Sequence, residues 1–455
     1  NIIGTSYDDI LEGNSENNTI SSGLGNDTII ASAGNDRLIG DIATVDTVDY
    51  SGVSNSVSID LGLKIAQGWG NDVLEEINNA IGGNYNDTII GEDGNNILEG
   101  GAGDDTLTGK LGTNTLSGGE GIDTVDYSWA TTAVDARLGI GTADGSATTV
   151  GMVDTLRSIE NLIGGLGNDT LVGNEQNNII WGTAGNNTIE GGAGSDTIYG
   201  GTGNDLFIGG SGNDTIQGGG GQDTLTYTSI ANSINVNLGE NRAIGNDIGT
   251  DTISAINTVI GGNGDDVLIG NNVSNSLLGG AGNDTLYGGR GDNILDGAVG
   301  DRDMIDYREY SDKVVVNLDT NNFVNSDNST IVAGSAKRYG IYGGVDTITN
   351  IEDINGSSLD DVLIGNGNIN NFIYGNAGRD ILKSVGSSGS GINSLYGGDD
   401  NDTIIAGAGN DFIDGGAGVD TIDFSQFAAT AGVNFSLQDS STQNVGVGGF
   451  GTFSV

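Results

Sequence analysis

Residues 191–226 read GGAGSDTIYGGTGNDLFIGGSGNDTIQGGGGQDTLT, and the prediction of the fold starts from them. The stretch consists of four consecutive nine-residue repeats with the pattern G-G-x-G-x-D-x-U-x, in which U is an apolar residue. Repetition at a short fixed period is typical of solenoids, in which each repeat packs only on its neighbours. The sequence therefore predicts a stacked repeat structure.

The same pattern returns elsewhere along the chain. It recurs at residues 100–126, 164–172, 261–287 and 397–423, with looser copies at 4–39 and 356–383. The 84 glycines fall at regular positions, unlike the clustered glycines of a flexible linker. This regularity argues against the alternative of an unfolded acidic chain, which the charge and the low apolar content would otherwise suggest.

Each position of the repeat has a physical role. Glycine permits positive φ, so about six residues can form a tight turn. The remaining three residues form a short strand whose central side chain is apolar, as in Ile198, Phe207, Ile216 and Leu225. Successive turns then stack one apolar side chain above another in a thin core. The expected fold class is all-β.

Acidic side chains crowd the turns of the same block. The sixth position of each repeat is aspartate, at Asp196, Asp205, Asp214 and Asp223. Stacked carboxylates repel one another unless a hard cation that prefers oxygen ligands lies between them. The pattern therefore favours a divalent cation site. The alternative is that these turns are only Asx turns without metal.

Composition excludes several other kinds of chemistry. The 455 residues contain no His, Cys or Pro, so zinc sites, Ser-His-Asp hydrolysis and disulfide scaffolds are not expected. The 62 acidic and 14 basic residues give a net charge of −48, which repels nucleic acid and anionic membranes. No apolar run reaches the ~18 residues of a membrane span. Neither nucleic-acid binding nor membrane insertion is predicted, and the natural partner is a cation.

The motif resembles the RTX (repeats-in-toxin) nonapeptides of haemolysin-type calcium-binding proteins. That resemblance implies a parallel β-roll in which two nonapeptides make one coil and the turns alternate between two edges. It also implies several Ca²⁺ ions, each between neighbouring turns on one edge, so that ligand partners lie 18 residues apart. No organic cofactor is expected, and no catalytic residue is recognised.

The resemblance carries over to the sixth-position aspartates of this sequence. The predicted calcium ligands are Asp9, Asp27, Asp87, Asp105, Asp123, Asp169, Asp196, Asp205, Asp214, Asp223, Asp266, Asp284, Asp361, Asp380, Asp402, Asp411 and Asp420. Most of them form pairs at the expected spacing, whereas Asp361 and Asp380 are one residue further apart.

Asparagine replaces aspartate at the sixth position of many intervening repeats. The run Asp87, Asn96, Asp105, Asn114 and Asp123 alternates the two residue types. Because asparagine keeps a carbonyl oxygen but lacks the charge, it is the weaker ligand. The alternation predicts calcium on one edge of the roll and hydrogen-bonded asparagines on the other.

A slower period interrupts the nonapeptides. DTVDYS at residue 46 and its variants at 123, 223, 303 and 420 precede alternating stretches such as VSIDL at 57, and alternation indicates half-buried strands. We interpret these segments as longer coils or small strand pairs that join the repeat blocks. The predicted blocks are 1–45, 82–126, 164–226, 261–302 and 356–423, with β-rich joints at 46–81, 127–163, 227–260 and 303–355 and a partial terminal module at 424–455.

The leading functional prediction is a secreted calcium-binding structural protein, such as an extracellular filament, surface layer or adhesin stalk of a bacterium. The alternative is the calcium-folding repeat region of a larger type I-secreted enzyme or toxin. Intrinsic enzymatic activity is not expected. Ice binding is disfavoured, because in the 191–226 block the third position of the repeat holds Thr only at Thr202.

The two ends of the sequence fall inside the slower period. The start, NIIGTSYDD, matches the sequence that follows the I-E-N step at residues 159–161, and VNFSLQ at 433 matches the strand after a joint. Either the chain is cut from a longer array, or its end modules complete one another between subunits. The second possibility predicts self-association.

Overall fold

A computed structural model describes residues 1–300, 302–324, 330–340, 343–367, 369–385, 393–407 and 411–425, with Gln443–Asn444 and Thr452–Phe453. The described residues contain strands and no helix, so none of their segments is a helix able to span a membrane. The all-β prediction is confirmed. The chain divides into two compact units, Asn1–Thr224 with Ile248–Ala255, and Leu225–Asp247 with Ile256–Val455.

The first unit consists of short strands that alternate, outside the joints, between two sheets. One sheet contains Ile2–Ile3, Thr19–Ser21, Arg37–Ile39, Ser58–Asp60, Ile65–Gln67, Asn71–Glu75, Thr88–Ile90, Thr106–Thr108, Thr124–Asp126, Asn161–Ile163, Ile179–Trp181, Thr197–Thr202, Thr215–Gly220 and Gly249–Ser254. The other contains Ile10–Glu12, Thr28–Ile30, Thr47–Asp49, Asn79–Ile81, Ile97–Ala102, Gly112–Glu120, Asp135–Arg137, Gly145–Thr149, Met152–Arg157, Thr170–Val172, Thr188–Ala193 and Leu206–Ser211.

The second unit has the same construction, and the strand Thr224–Thr226 lies at the boundary. One sheet contains Ile234–Asn237, Arg242–Gly245, Val267–Ile269, Thr285–Tyr287, Met304–Asp306, Asp353–Asn355, Phe372–Ala377, Ser394–Asp399 and Phe412–Ala417. The other contains Thr258–Ile260, Ser276–Ala281, Ile294–Val299, Val314–Asn317, Ser335–Arg338, Val345–Thr349, Val362–Ile364, Ile381–Lys383, Thr403–Ile405 and Thr421–Asp423. Two further pairs are Phe323–Val324 with Thr330–Ile331, and Gln443–Asn444 with Thr452–Phe453.

The nonapeptide strands pair in parallel at the spacing of one coil. Ile180 lies beside Ile198 and Ile198 beside Ile216 in one sheet, while Ile189 lies beside Phe207 in the other. All five side chains are completely buried, and each contributes about 1.5–3 kcal/mol to the folded state. The apolar eighth positions therefore form the thin core of a parallel β-roll, as predicted.

Two glycines of each turn are required by its geometry. A Cβ on Gly191, the first position, would lie 2.4 Å from Oδ2 of Asp196. Gly192, the second position, has φ +107°, and a Cβ there would lie 2.1 Å from the carbonyl oxygen of Asn174 in the preceding coil. The first glycine makes room for the carboxylate, and the second permits a left-handed turn that L side chains rarely adopt.

The joints contain antiparallel strands. In the first unit, Ser58–Asp60 pairs antiparallel with Ile65–Gln67, which pairs antiparallel with Asn71–Glu75. In the second, Ser335–Arg338 pairs antiparallel with both Val314–Asn317 and Val345–Thr349. Of the two interpretations of the joints, longer coils or small strand pairs, these segments adopt the second.

Aromatic side chains at the ninth position stack between coils. The rings of Trp181 and Tyr199 are 6.0 Å apart and inclined by 12°. Those of Tyr374 and Tyr396 are 4.9 Å apart and inclined by 7°. Rings stacked in this way cover one another's faces, so they contribute packing between coils.

Candidate calcium sites

The sixth-position aspartates form ladders along the edges of the roll. The backbone N–H of Asp196 donates to Oδ1 of Asp214, 18 residues later, at 2.9 Å. The same bond links Asp9 to Asp27, Asp87 to Asp105, Asp105 to Asp123, Asp205 to Asp223, Asp266 to Asp284 and Asp402 to Asp420. Asp361 and Asp380 keep this bond at 2.8 Å despite their spacing of 19 residues. The predicted partners are therefore neighbours on one edge.

Within the ladders, one class of carboxylate has an oxygen without a hydrogen-bond donor. In the described part of the chain, Oδ2 is buried and unpartnered in Asp27, Asp105, Asp123, Asp196, Asp205, Asp214, Asp284, Asp380 and Asp402. We call these nine the interior aspartates. Because an unsatisfied buried carboxylate oxygen is costly, these positions fit a cation better than they fit an empty turn.

A second class has both carboxylate oxygens hydrogen-bonded. In Asp87, Oδ1 accepts from the backbone N–H of Val57 at 2.8 Å and Oδ2 from that of Gly83 at 2.5 Å. Asp169, Asp266 and Asp361 make the equivalent two bonds, and Oδ2 of Asp9 accepts from Thr5. We call these five residues the entry aspartates. Four of them, all except Asp9, are the first sixth-position aspartates of a repeat block that follows a joint.

The backbone conformation of the second residue of the repeat differs between the interior and the entry aspartates. Gly83, in the turn of Asp87, has no positive φ and donates its N–H to the carboxylate. Gly101, in the turn of Asp105 one coil later, has φ +115°, and Oδ2 of Asp105 has no donor. The left-handed turn therefore leaves the interior carboxylates open, whereas the entry carboxylates are already satisfied by the backbone.

The other predicted ligands have different surroundings. Oδ2 of Asp411 accepts from the Ser384 hydroxyl at 2.9 Å, and its Oδ1 accepts from the backbone of Asn393 at 3.1 Å. Asp223 and Asp420 accept ladder bonds at Oδ1, from Asp205 and Asp402. Asp411 thus resembles the entry aspartates in having both carboxylate oxygens hydrogen-bonded, here with the hydroxyl of Ser384 as one donor.

The ladders also contain acidic residues that were not among the ligands predicted from the sequence. Asp36 occupies the sixth position of ASAGNDRLI, and it accepts at Oδ1 from the backbone of Asn18 at 2.8 Å. Asp46 and Asp303, in the joint motifs, extend the ladders by accepting from Asp27 at 2.9 Å and from Asp284 at 2.7 Å. Asp36 could have been found from the repeat register alone, and the other two from the D-x-x-D-Y motif.

Each joint also contains, near its end, a buried aspartate that lies five residues before an isoleucine. This spacing can be recognised in the sequence. These residues are Asp72, Asp154, Asp251 and Asp346. Buried tyrosine hydroxyls from the joint motifs donate to such carboxylates: Tyr50 to Asp72 at 2.7 Å, Tyr127 to Asp154 at 3.1 Å and Tyr307 to Asp346 at 3.1 Å. A side-chain donor thus satisfies the carboxylate where the regular turn is interrupted.

The asparagine edge is hydrogen-bonded. The backbone N–H of Asn96 donates to Oδ1 of Asn114 at 2.9 Å, and its side-chain amide donates to the carbonyl of Asn78 at 2.6 Å. The amide of Asn114 donates to Oδ1 of Asp154 at 2.8 Å. The asparagine side chains on this edge are therefore hydrogen-bonded, as the Asp/Asn alternation predicts, with acceptors that include a backbone carbonyl and the Asp154 carboxylate.

Burial and mutual repulsion make two of the interior carboxylates, those of Asp105 and Asp196, hard to ionise without a cation. Burial, followed by the charges of Asp123 and Asp87, raises the pKa of Asp105 to about 7. Burial and the neighbouring Asp214 raise the pKa of Asp196 to about 7 as well. At neutral pH, a bound divalent cation would offset both shifts, because its positive charge favours the ionised carboxylates.

The remaining oxygen ligands would have to come from the backbone. Among the described residues, no three or more acidic side chains converge on one point. A Cβ on Gly210 would lie 1.8 Å from the carbonyl oxygen of Gly192, and one on Gly212 would lie 1.6 Å from that of Gly194. Carbonyl oxygens of the second and fourth positions thus face the next coil, whose turn also carries an open carboxylate at Asp214, and Ca²⁺ prefers this mixture of ligands.

The raised pKa values predict that acid favours the calcium-free fold. Asp105 and Asp196 have pKa values of about 7 in the fold, against about 3.9 in an unfolded chain. The folded state therefore binds more protons between these limits. These two groups contribute a stabilisation that is fully present below pH ~4 and is lost as the pH rises through ~7. Circular dichroism of calcium-free protein should show more β structure at pH ~5 than at pH ~8, and the opposite order would contradict the prediction.

Comparison with known families agrees with the geometry. The family model described as RTX calcium-binding nonapeptide repeat matches residues 3–40, 81–116, 108–126, 163–198, 190–225, 247–272, 269–303, 355–383 and 387–422. No curated protein matches the chain. The matched ranges cover more than half of the sequence and coincide with turns that carry the aspartate ladders. The chain belongs to the RTX calcium-binding nonapeptide repeat family.

Proposed function

We propose that this chain is a secreted, calcium-dependent structural scaffold with no catalytic activity of its own. The observation that carries the proposal is that, in the part of the chain that the structure describes, repeat coils and their joints follow one another from Ile2–Ile3 to Thr421–Asp423. Most of the polar side chains buried in the described part of this fold are aspartates and asparagines. Among the described residues, the ladders and candidate cation sites account for these aspartates and asparagines without assigning any of them as a catalytic acid, base or nucleophile.

Calcium dependence fits a protein that works outside the cell. A chain with net charge −48 repels itself at low calcium, and ligands that assemble only in the fold couple metal binding to folding. Such a chain would stay extended during type I secretion and fold where calcium is abundant. The extracellular or cell-surface location of this protein is inferred from that coupling.

Self-association is part of the proposal. Within the described residues, the strands Ile2–Ile3 and Ile10–Glu12 each pair on one side only, with Thr19–Ser21 and Thr28–Ile30. Ile3 is 86% and Ile10 76% exposed. Open strand edges with apolar side chains are surfaces on which another chain can add strands. Contact between unlike surfaces propagates into a filament unless its rotation closes a ring.

Electron microscopy and light scattering test the assembly. With calcium, the 455-residue chain should form linear assemblies, and the double substitution Ile3→Asp, Ile10→Asp should abolish them by placing charge on the open edge. Ile42→Asp is the matched control, because Ile42 is 87% exposed in a turn outside any strand. A calcium-loaded chain that remains monomeric at high concentration would reject self-association. It would favour instead the repeat region of a larger secreted enzyme or toxin.

A further inference from the structure

Arg338 differs from every other basic residue of the chain. Its side chain is 1% exposed, and among the 14 lysines and arginines, all of which lie in the described part, it is the one that is buried. It is the last residue of the strand Ser335–Arg338, in the joint of the second unit. A buried guanidinium requires acceptors for its donors.

The guanidinium contacts three oxygen atoms of two coils. One terminal nitrogen donates to the carbonyl oxygen of Gly289, and the other donates to that of Gly291. The second nitrogen also donates to Oδ1 of Asp346 at 2.9 Å. The hydroxyl of Tyr310 donates to the carbonyl of Gly289 at 2.5 Å. The positive charge is thus enclosed by backbone oxygens and one carboxylate.

These oxygens occupy equivalent positions in the candidate calcium turns. Gly289 and Gly291 are the second and fourth residues of the repeat GGRGDNILD. Asp346 stands at the sixth position of the next coil, since Oδ1 accepts from the backbone N–H of Asn293 at 3.1 Å. In the turn of Gly192 and Gly194, the carboxylate of the next coil belongs to Asp214, whose Oδ2 has no donor.

We propose that the guanidinium of Arg338 takes the place of a calcium ion in the turn formed by residues 288–293. Its planar fork presents several donors at once, so it can contact two carbonyls and a carboxylate that would otherwise share a divalent cation. The inference rests on the calcium binding of the family and is independent of the scaffold proposal.

The corresponding joint of the first unit shows the contrast. There Asp154 accepts from the amide of Asn114 at 2.8 Å and from the hydroxyl of Tyr127 at 3.1 Å, both neutral donors. Asp346 accepts from Asn293 at 2.8 Å and from Tyr307 at 3.1 Å in the same way, and from Arg338 in addition. The cation is therefore an addition to a common joint arrangement. Because of Arg338, the negative charge of Asp346 is neutralised at any calcium concentration.

The test is the number of calcium ions bound per chain at saturation, measured by native mass spectrometry of the full chain. Arg338→Ala removes the guanidinium and leaves the three oxygens in place, so the variant should bind one more calcium ion than the wild type. Adding Asp346→Asn to Arg338→Ala removes the carboxylate and should abolish the additional ion. Lys337→Ala is the matched control, because Lys337 is the adjacent basic residue and is exposed; it should leave the number unchanged.

Two results would overturn the proposal. An Arg338→Ala variant that binds the same number of ions as the wild type, or fewer, would show that calcium does not enter this turn. Failure of the variant to fold at saturating calcium counts in the same way, because the proposal requires calcium to substitute for the guanidinium. Hydrogen exchange of the backbone amides of Val345–Thr349 detects such a failure to fold, since these residues pair with Ser335–Arg338 and Ile294–Val299.

Discussion

Removal of calcium with a chelator is expected to abolish most of the β-sheet circular dichroism signal of this chain, and millimolar calcium to restore it. The physical reason is the set of buried interior aspartates, exemplified by Asp105 and Asp196, in a chain with net charge −48. One site at a ligand concentration of 100 Kd contributes about 2.7 kcal/mol. A few such sites equal the entire stability of a typical domain, about 5–15 kcal/mol.

Two controls separate specific binding from charge screening. Sodium chloride at matched ionic strength screens exposed charges but cannot coordinate buried carboxylates, so it should restore little structure. Magnesium should also be a poor substitute, because it requires a smaller octahedral shell and dehydrates reluctantly. Equal β-sheet signals with and without chelator would show that the backbone ladders suffice without metal.

Substitution of Asp105 by asparagine is expected to have the largest effect of any single change in the 82–126 block. Oδ1 of Asp105 accepts from the backbone of Asp87 at 2.7 Å, while its Oδ2 is buried without a donor. Asparagine keeps the first contact and replaces the open oxygen with an amide. Because Asp105 lies between the coils of Asp87 and Asp123, it can serve two stacked sites.

We expect Asp105→Asn to lower the number of bound calcium ions and to raise the calcium midpoint of folding at least about tenfold. A charged contact of this kind is worth about 1.5–3 kcal/mol. Calcium titrations followed by native mass spectrometry and circular dichroism measure the two quantities separately. The separation matters because a variant that only weakens the fold shifts the midpoint without losing an ion.

Two control variants lie in the same block. Asp87→Asn changes an entry aspartate whose Oδ2 already accepts from Gly83, so the loss of bound ions should be smaller. Asn96→Ala removes the side-chain bond to the carbonyl of Asn78 and should cost about 1–3 kcal/mol of stability, with the number of ions unchanged. If Asn96→Ala lost as many ions as Asp105→Asn, the asparagine edge would also bind metal.

The sequence alone was sufficient to predict the coil. The apolar residues at Ile180, Ile198 and Ile216 recur every 18 residues and lie side by side in one sheet. The aspartates at Asp87, Asp105 and Asp123 have the same spacing, and hydrogen bonds link them in turn. These features were predictable because each repeat is a local unit whose turn and strand depend on residues close in sequence, and a fixed period then determines which repeats are neighbours.

Only the tertiary structure divided the predicted ligands into interior and entry aspartates. Asp87 and Asp105 have the same motif position, but the N–H of Gly83 reaches Oδ2 of Asp87, whereas no donor reaches Oδ2 of Asp105. Arg338 likewise lies 47 residues from Gly291, whose carbonyl it contacts. The repeat period determines which turns are adjacent. The direction of a second-position N–H and the path of an antiparallel joint depend instead on packing between segments that no local pattern relates.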